Sequence, residues 1–315
     1  MKYYVIGAGA IGKRHHQNLL ALGANVVLLG WRDLNLSNFI QQLEADAEPS
    51  AIVVATASQI RLQIIEAAAK ADAPVYVEKP IAYRKDELDR IYSCATPIIE
   101  RSMVGFMMRY HPVVRDLAKR DHASTFGFHF EIGHDVRQWR TNWSFANSYA
   151  AQAEGGGVIL DLCHEIDLAH LLFPKAKLQR VDCLGHPDFA GVDVASRLTL
   201  AQPNGPSGTV TMDYLSPQSI RRIGLRSIGN VSDIDLLACT ETRTDGKDTR
   251  SSSLDFERNE MFVDIMQDFM TLAETGQRPK NPIAPVMDQV YDSCCLIADA
   301  WENRIFHGAI AGGMT

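Results

Sequence analysis

The sequence predicts an α/β protein: a doubly wound parallel-sheet domain at the N-terminus, followed by a second α/β domain built on consecutive strands. Three observations carry this. Short apolar runs alternate with helical patterns through the N-terminal part of the chain. Gly7-x-Gly9-x-x-Gly12 stands between the first apolar run and the first helix. From residue 179 to residue 238, strand-like runs follow one another with no helix between them.

The elements read in order as follows. Residues 2–6 form a first strand, and a helical pattern over 14–22 closes at Gly23. Residues 25–29 and 51–55 are further apolar runs, and a helix over 60–70 follows the second of them. Residues 74–77 form a fourth strand, followed by a helix over 85–93, with more strand material at 98–99 and 103–107. Near-continuous apolar strands separated by helices mean a parallel sheet covered on both faces. Residues 1–115 are therefore assigned to this domain and 116–315 to a second. In the second, 125–132 alternates like a strand, 133–155 is a polar-aromatic loop, and 158–173 is an amphipathic helix. Strand-like runs follow near 179–184, 193–200, 207–215, 220–227 and 232–238. Residues 240–253 read as an exposed hairpin or loop, helices cover 258–275 and 285–304, and the tail from Gly308 is expected to fray. Strands in succession without helices call for an antiparallel or mixed sheet.

Composition narrows the function classes. The chain has 315 residues, 46% hydrophobic and 22% charged, with a net charge of −7. That is ordinary globular usage, and an acidic balance argues against nucleic acid as a partner. No apolar stretch reaches the roughly 18–20 residues a bilayer requires, so no membrane partner is expected. The opening runs straight into the glycine turn, leaving no room for a signal peptide. Six cysteines without a CxxC pair read as reduced thiols, and the expected location is the cytoplasm.

The glycine turn is the first functional signal. Gly7 permits the tight turn, Gly9 admits a pyrophosphate to the backbone, and Gly12 lets helix and strand pack closely. Free N–H groups at Ala10 and Ile11, where the helix begins, attract phosphate. Thr56, after the third strand, and Glu78 complete the cofactor-binding set. At the end of the second strand, where an acid usually holds the ribose of NAD, the chain reads Leu29-Gly30-Trp31-Arg32-Asp33. Trp31 takes the position of the acid, and Arg32 beside it suits the 2′-phosphate of NADP. The alternative is a solvated Arg32, with Asp33 serving NAD from a shifted position.

Glu78-Lys79-Pro80 closes the strand 74–77. Lys79 thus stands at the carboxyl end of a parallel strand, where ligands bind in open α/β sheets, and Pro80, through a cis bond, is suited to aim it. In the second domain, His164 lies on the helix 158–173, with Asp161 and Asp167 three residues to either side. A neutral histidine suits proton transfer near neutral pH; the alternative is a satisfied core histidine. Metal binding by His164, Glu165, Asp167 and His170 is not expected, because histidines six apart do not share a helix face.

At this point the chain resembles the Gfo/Idh/MocA family of NAD(P)-dependent oxidoreductases. The segments that carry the resemblance are Gly7 to His15 (GAGAIGKRH), Glu78-Lys79-Pro80, Val104-Gly105 through Arg109-x-His111-Pro112, Ser148-Tyr149 leading to Gly155-Gly156-Gly157, and Asp161 through Asp167. The resemblance implies an N-terminal Rossmann domain and a C-terminal α/β domain with a large, mostly antiparallel sheet. It implies Lys79 beside the nicotinamide and touching the reacting hydroxyl, His164 as acid/base, and Asp161 in support. It also implies a sugar or sugar derivative as substrate, including nucleotide- or acid-bearing ones. Arg109, His111, Arg137, Trp139, Arg140, Tyr149 and Asp167 are candidates for binding it, since arginines interleaved with aromatics suit a ring bearing an anionic group. The open sheet implies a homodimer or homotetramer.

Three departures from the family pattern stand out: Trp31 in place of the acid, Asp161-x-x-His164 where many members have one more residue between, and Arg61 where a histidine is common, which points to a more anionic ligand. Other readings on the same scaffold are a reductase of an imine or linear tetrapyrrole, and a non-catalytic regulator that binds the dinucleotide without turnover.

Overall fold

The computed structural model describes residues 1–45, 48–138 and 144–314. The chain forms two compact units. One comprises Met1–His111 with Glu257–Cys295, and the other Pro112–Phe256 with the residues from Leu296 onward. The sequence division at 115/116 placed residues 257–295 with the second half of the chain; in the structure they pack with the first.

In the first unit the chain alternates β1 (Lys2–Ile6), α1 (Ala10–Ala21), β2 (Asn25–Leu29), α2 (Leu36–Ala45), β3 (Ser50–Val54), α3 (Arg61–Lys70), β4 (Val75–Val77), α4 (Lys85–Cys94) and β5 (Met103–Val104). The strands form one parallel sheet in the order β2-β1-β3-β4-β5. The order reverses between β1 and β3, so the loops leaving their carboxyl ends flank the crevice where such sheets bind ligands. Residues 51–54 are fully buried, as their unbroken apolar run requires of a central strand. Tyr3 and Tyr4 of β1 are interior, and both hydroxyls find partners: Tyr3 donates to Glu274 Oε1 at 2.7 Å, and Gln42 donates to Tyr4 at 3.2 Å. The strand material expected over 98–99 and 103–107 contracts to β5, because Ile99–Arg101 and Met107–Tyr110 turn into 3₁₀ helix.

The second unit contains α5 (Pro112–Leu117), β6 (Thr125–Gly133), α6 (Val158–Asp161), α7 (His164–Leu172), β7 (Lys177–Gly185), β8 (Ala195–Ala201), β9 (Ser207–Asp213), β10 (Ile220–Ser227), β11 (Asn230–Asp235), β12 (Thr240–Asp245) and β13 (Asp248–Ser253). The chain then passes through α8 (Arg258–Thr275) and α9 (Tyr291–Glu302) and ends with β14 (Arg304–Ala309). The large sheet runs β13-β12-β11-β10-β6-β9-β8-β7-β14. It is mixed: β6/β9 and β7/β14 are parallel and the other neighbours antiparallel. One face carries Phe128, Phe130, Leu198, Val210, Met212 and Ile223, all buried, and α6 and α7 lie against it. The alternating inward and outward pattern seen in the sequence is the pattern of a sheet with one face on a core.

Three elements differ from expectation. The helix over 158–173 is two helices, α6 and α7, separated by Leu162 (ψ 24°) and Cys163 (ψ −5°). Both pieces are buried on nearly every side, so no amphipathic stripe marks the join. The expected hairpin at 240–253 is the antiparallel β12/β13 pair. The tail does not fray at Gly308: β14 adds in parallel to β7, Ile310 N–H continues the ladder to Gly185 O at 2.9 Å, and Met314 is buried. Unpaired backbone groups on the edge of β7 hold this segment, which local polarity does not reveal.

Helix α8 packs on α1. Phe262 lies under Arg14 and beside His15, Phe269 meets the edges of Tyr3 and Tyr76, and Tyr110 donates to Asp268 Oδ2 at 2.6 Å. Phe269 is fully buried; deleting such a ring costs about 3–5 kcal/mol.

Candidate active site

The turn between β1 and α1 is built by steric necessity at two glycines. Gly7 has φ +116°, and a methyl there would lie 2.4 Å from Ala55 O. A methyl on Gly12 would lie 1.8 Å from Gly7 O. Gly9 differs. Its backbone is extended (φ −72°, ψ −178°), and a methyl there would meet nothing within 4 Å. The space over Gly9 is thus open, and the first turn of α1, from Ala10 and Ile11, holds no acidic side chain to neutralise its positive end. Phosphate groups fit this cradle.

At the end of β2, residues 31–33 form a 3₁₀ turn, with Arg32 and Asp33 exposed and Trp31 half-buried. The Asp33 carboxylate folds back, so that a methyl on Gly30 would lie 2.9 Å from its Oδ2. A guanidinium and a carboxylate therefore both stand at the edge where an adenosine ribose rests in such folds.

The turn after β4 is fixed from several sides. The Lys79–Pro80 peptide is cis. Glu78 is 7% exposed; its Oε1 pairs with His15 Nε2 at 2.6 Å, and its Oε2 accepts from Lys79 N–H at 3.2 Å. Burial pushes the Glu78 carboxyl up. The His15 hydrogen bond, with the charges of His15, Lys79 and Arg61, outweighs this and holds it below the ordinary range. Arg61, the first residue of α3, is buried and donates to the backbone oxygens of Thr56, Glu78 and Pro80. The sequence read its position as a sign of an anionic ligand; the structure commits its guanidinium to carbonyls.

In the second unit the Gly155-Gly156-Gly157 run seats α6. Gly157 has φ +94°, and a methyl there would lie 2.0 Å from Asp193 Oδ1. Asp193, fully buried, accepts from Ile159 N–H at 2.9 Å and pairs with Arg304 at 2.7 Å, which anchors the start of the helix. Asp161, at the end of α6, is 6% exposed. Tyr149 donates to its Oδ1 at 2.6 Å and Tyr214 to its Oδ2 at 3.2 Å. Tyr214 is interior; burial and the Asp161 charge push its phenol far above the ordinary range, so it stays a donor. Tyr149 is 52% exposed, so the phenol stands at the surface of this unit with its hydroxyl on the buried Asp161 carboxylate. His134 lies edge-on to Tyr214, and burial holds its pKa below the ordinary value.

His164 opens α7 and is 6% exposed; Asp167 is fully buried. Between them in the chain, Glu165 forms a bidentate pair with Arg221 of β10 (2.6 and 3.2 Å), which fastens α7 to the sheet. The helix break at Leu162–Cys163 means that Asp161 and His164 do not keep the roughly 60° separation that residues three apart have on a continuous helix.

The remaining candidates divide. Arg109 is buried in the first unit, donating to Ser293 Oγ (3.3 Å) and Ile283 O (3.5 Å), and His111 is buried too. Arg137 is exposed and closes on Asp135 through Nε (2.8 Å) and Nη2 (2.7 Å), bringing the Asp135 carboxyl down to about 2. Trp139 and Arg140 lie outside the described residues. Sequence reasoning gave no role to His15, Tyr214, Asp193 or Arg221. The histidine closing GAGAIGKRH was the one signal available; the others bond across dozens of residues and leave no local mark.

Comparison with known proteins agrees with this architecture. Residues 1–106 match the GFO_IDH_MocA family, described as an oxidoreductase family with an NAD-binding Rossmann fold. An inositol 2-dehydrogenase of Paracoccus denitrificans is 33% identical over 225 residues, covering 62% of this chain and 64% of that protein. One from Acidothermus cellulolyticus is 29% identical over 185 residues, covering 54% and 52%. The chain thus spans less than two thirds of these relatives' length. Among solved structures, levoglucosan dehydrogenase in complex with NADH superposes with a TM-score of 0.77 at 17% identity, covering 96% of both chains. A 3-ketoreductase from Actinomadura kijaniata, solved with NADP, gives 0.79 at 16% identity, covering 98% and 99%. At such identities the likeness shows the fold.

Proposed function

We propose, from the match of residues 1–106 to the Gfo/Idh/MocA oxidoreductase family, that the chain is an NAD(P)-dependent dehydrogenase or reductase of a sugar-type hydroxyl or carbonyl. The observation that carries this reading is the pairing, within one unit, of an open phosphate cradle at Gly9 with a lysine turn fastened at the carboxyl end of β4. The relatives named as inositol 2-dehydrogenases support a polyhydroxylated substrate.

In this reading Gly7, Gly9 and Gly12 with the N–H groups of Ala10 and Ile11 hold the diphosphate, and Thr56 and Glu78 line the path toward the nicotinamide end. Bound NAD(P) supplies the hydride chemistry. Lys79 donates a hydrogen bond to the reacting oxygen and favours the charge that develops there. His164 takes the hydroxyl proton during oxidation and returns it during reduction. Asp161, with Tyr149, accepts from and donates to further hydroxyls, which orients the ring; Arg137, which is exposed, extends that set, whereas Asp167 is fully buried and supports α7 from within rather than facing the sugar. Fixing these groups beforehand is the protein's contribution to rate.

Arg32 favours NADP by pairing with a 2′-phosphate, and Asp33 supplies the competing NAD contact. Six cysteines that form no disulfide fit a cytoplasmic setting. Among the described residues no helix is long and apolar enough to cross a membrane. The sheet face opposite α6 and α7 carries His129, Glu131, Arg197, Thr209, Thr211, Arg222 and Arg226, a mixed-charge surface suited to pairing with a second copy.

The test is a spectrophotometric screen with NAD⁺ and NADP⁺ against inositols, free sugars, sugar acids and nucleotide sugars, in both directions. Turnover of one class that Lys79→Met and His164→Asn abolish supports the reading. Turnover that survives both substitutions overturns the assignment of roles. In the same assay Arg32→Ala lowers the NADP-to-NAD preference; an unchanged ratio removes Arg32 from the cofactor site.

A further inference from the structure

The turn that presents Lys79 is gripped by a residue that neither the glycine motif nor the proposed chemistry uses. The Arg61 side chain is 4% exposed. Its Nε and Nη2 donate to Thr56 O at 3.1 and 2.7 Å, and its Nη1 donates to both Glu78 O and Pro80 O. The acceptors are thus three backbone carbonyls from two loops. Thr56 belongs to the loop leaving β3, and Glu78 and Pro80 to the loop leaving β4.

This placement is not what helix formation asks for. Arg61 is the first residue of α3, where the helix dipole disfavours a cation. A buried guanidinium also has to recover its lost hydration through hydrogen bonds. Only acceptors held in a fixed fan can satisfy its fork. The Glu78 carboxylate, which feels the Arg61 charge, is already engaged by His15 and by Lys79 N–H. The two carbonyls at Glu78 and Pro80 belong to the residues flanking Lys79 on either side. Pinning both holds the 78–79 peptide that leads into Lys79 and the 80–81 peptide that leaves Pro80, so the short stretch carrying Lys79 is tied at each end, and pinning Thr56 to the same group ties the two loops together.

We propose that Arg61 is a positioning residue for Lys79: its guanidinium clamps the carbonyls on both sides of the lysine to the loop after β3 and so sets the direction in which the amine points. The inference rests on the reading of Lys79 as the group that touches the reacting oxygen. A lysine at position 61 keeps the charge but donates from a single point, so it cannot hold three carbonyls in one plane.

The test compares Arg61→Lys, Arg61→Ala and Lys79→Met with the parent protein, using kcat, sugar KM, NAD(P)H affinity by fluorescence titration, and melting temperature. Arg61→Lys is expected to lose about 10- to 100-fold in kcat, the effect of a lysine displaced by roughly an ångström. Sugar KM is expected to stay within about threefold, because the binding groups of the second unit are untouched. Arg61→Ala is expected to lose at least as much kcat, with a lower melting temperature because three carbonyls lose their donor. Arg61→Lys with parental kcat overturns the proposal, as does a loss in which kcat, KM and cofactor affinity all fall in step with stability. If instead Lys79→Met turns over normally, the catalytic reading of Lys79 fails. The two failures are distinguishable, since one appears in the Arg61 variants and the other in the Lys79 variant.

Discussion

Replacing Gly9 and Gly12 with alanine, one at a time, separates binding from packing inside a single six-residue motif. At Gly9 the backbone is extended, in a region open to any residue, and the added methyl meets nothing within 4 Å. The loss of a glycine from the unfolded chain stabilises by about 0.4–1 kcal/mol. The poorer helix cap at this position costs a few tenths to about 1 kcal/mol. Gly9→Ala is therefore expected to leave the denaturant midpoint within about 0.5 kcal/mol of the parent. The same methyl stands where a diphosphate would reach the helix N-terminus. Displacing one charge-assisted backbone hydrogen bond costs about 1.5–3 kcal/mol, a loss of roughly 10- to 100-fold in affinity. At Gly12 the ordering reverses. A methyl 1.8 Å from Gly7 O forces α1 away from β1, which costs about 1–3 kcal/mol or more. The assay is a urea melt of each variant together with a fluorescence titration of NADH and of NADPH. A Gly9→Ala protein of parental stability that binds both dinucleotides within about twofold of the parent would refute the cradle. An undisturbed Gly12→Ala melt would refute the packing argument.

Further outcomes follow from the same geometry. Arg221→Ala leaves Glu165 buried without its bidentate partner and is expected to cost about 3–5 kcal/mol in a urea melt, whereas replacing both residues with apolar ones of similar volume costs far less. The Glu78 carboxyl titrates below its ordinary value of 4.5 in the folded state. Its contribution to stability is therefore fully present above that value and is lost as the pH falls through the depressed one. Stability measured against pH should fall in this acid window, and fall less steeply in His15→Asn, where the hydrogen bond that lowers Glu78 is gone. Tyr149→Phe removes one donor from Asp161 while Tyr214 keeps the other. It is expected to raise sugar KM about tenfold, with the melting temperature and NAD(P)H affinity close to the parent.

Much of the candidate site was readable along the chain. The job of Gly12 is decided inside the motif, where a Cβ would strike Gly7 O, and Gly7 is called for by its positive φ, although the atom its Cβ would strike, Ala55 O, lies far along the chain. Lys79 could be placed because a residue that ends a buried parallel strand has its position fixed by that strand. The pairing of Tyr149 with Asp161 was half visible: both were candidates, but nothing in the sequence said that the tyrosine would use its hydroxyl on that carboxylate. Arg61 was noticed for its charge and misjudged in its target, because a guanidinium facing carbonyls and one facing an anion look the same in a sequence.

By itself the sequence determined the alternation of strand and helix in the first unit, the run of strands in the second, and the glycines that permit the turns. These follow from side-chain periodicity and local backbone sterics, which act over a handful of residues. Tertiary structure alone decided that residues 257–295 pack with the first unit, that β6 lies between β10 and β9, and that β14 extends β7. It alone decided that His15 meets Glu78 across 63 residues, that Tyr214 reaches Asp161 across 53, and that Arg221 reaches Glu165 across 56. It also broke the helix at Leu162–Cys163, where α6 is tied to Asp193 and α7 to Arg221. Each of these is a choice of partner among many chemically equivalent ones. Only the closure of the whole chain, which buries polar groups that must then be satisfied, makes that choice.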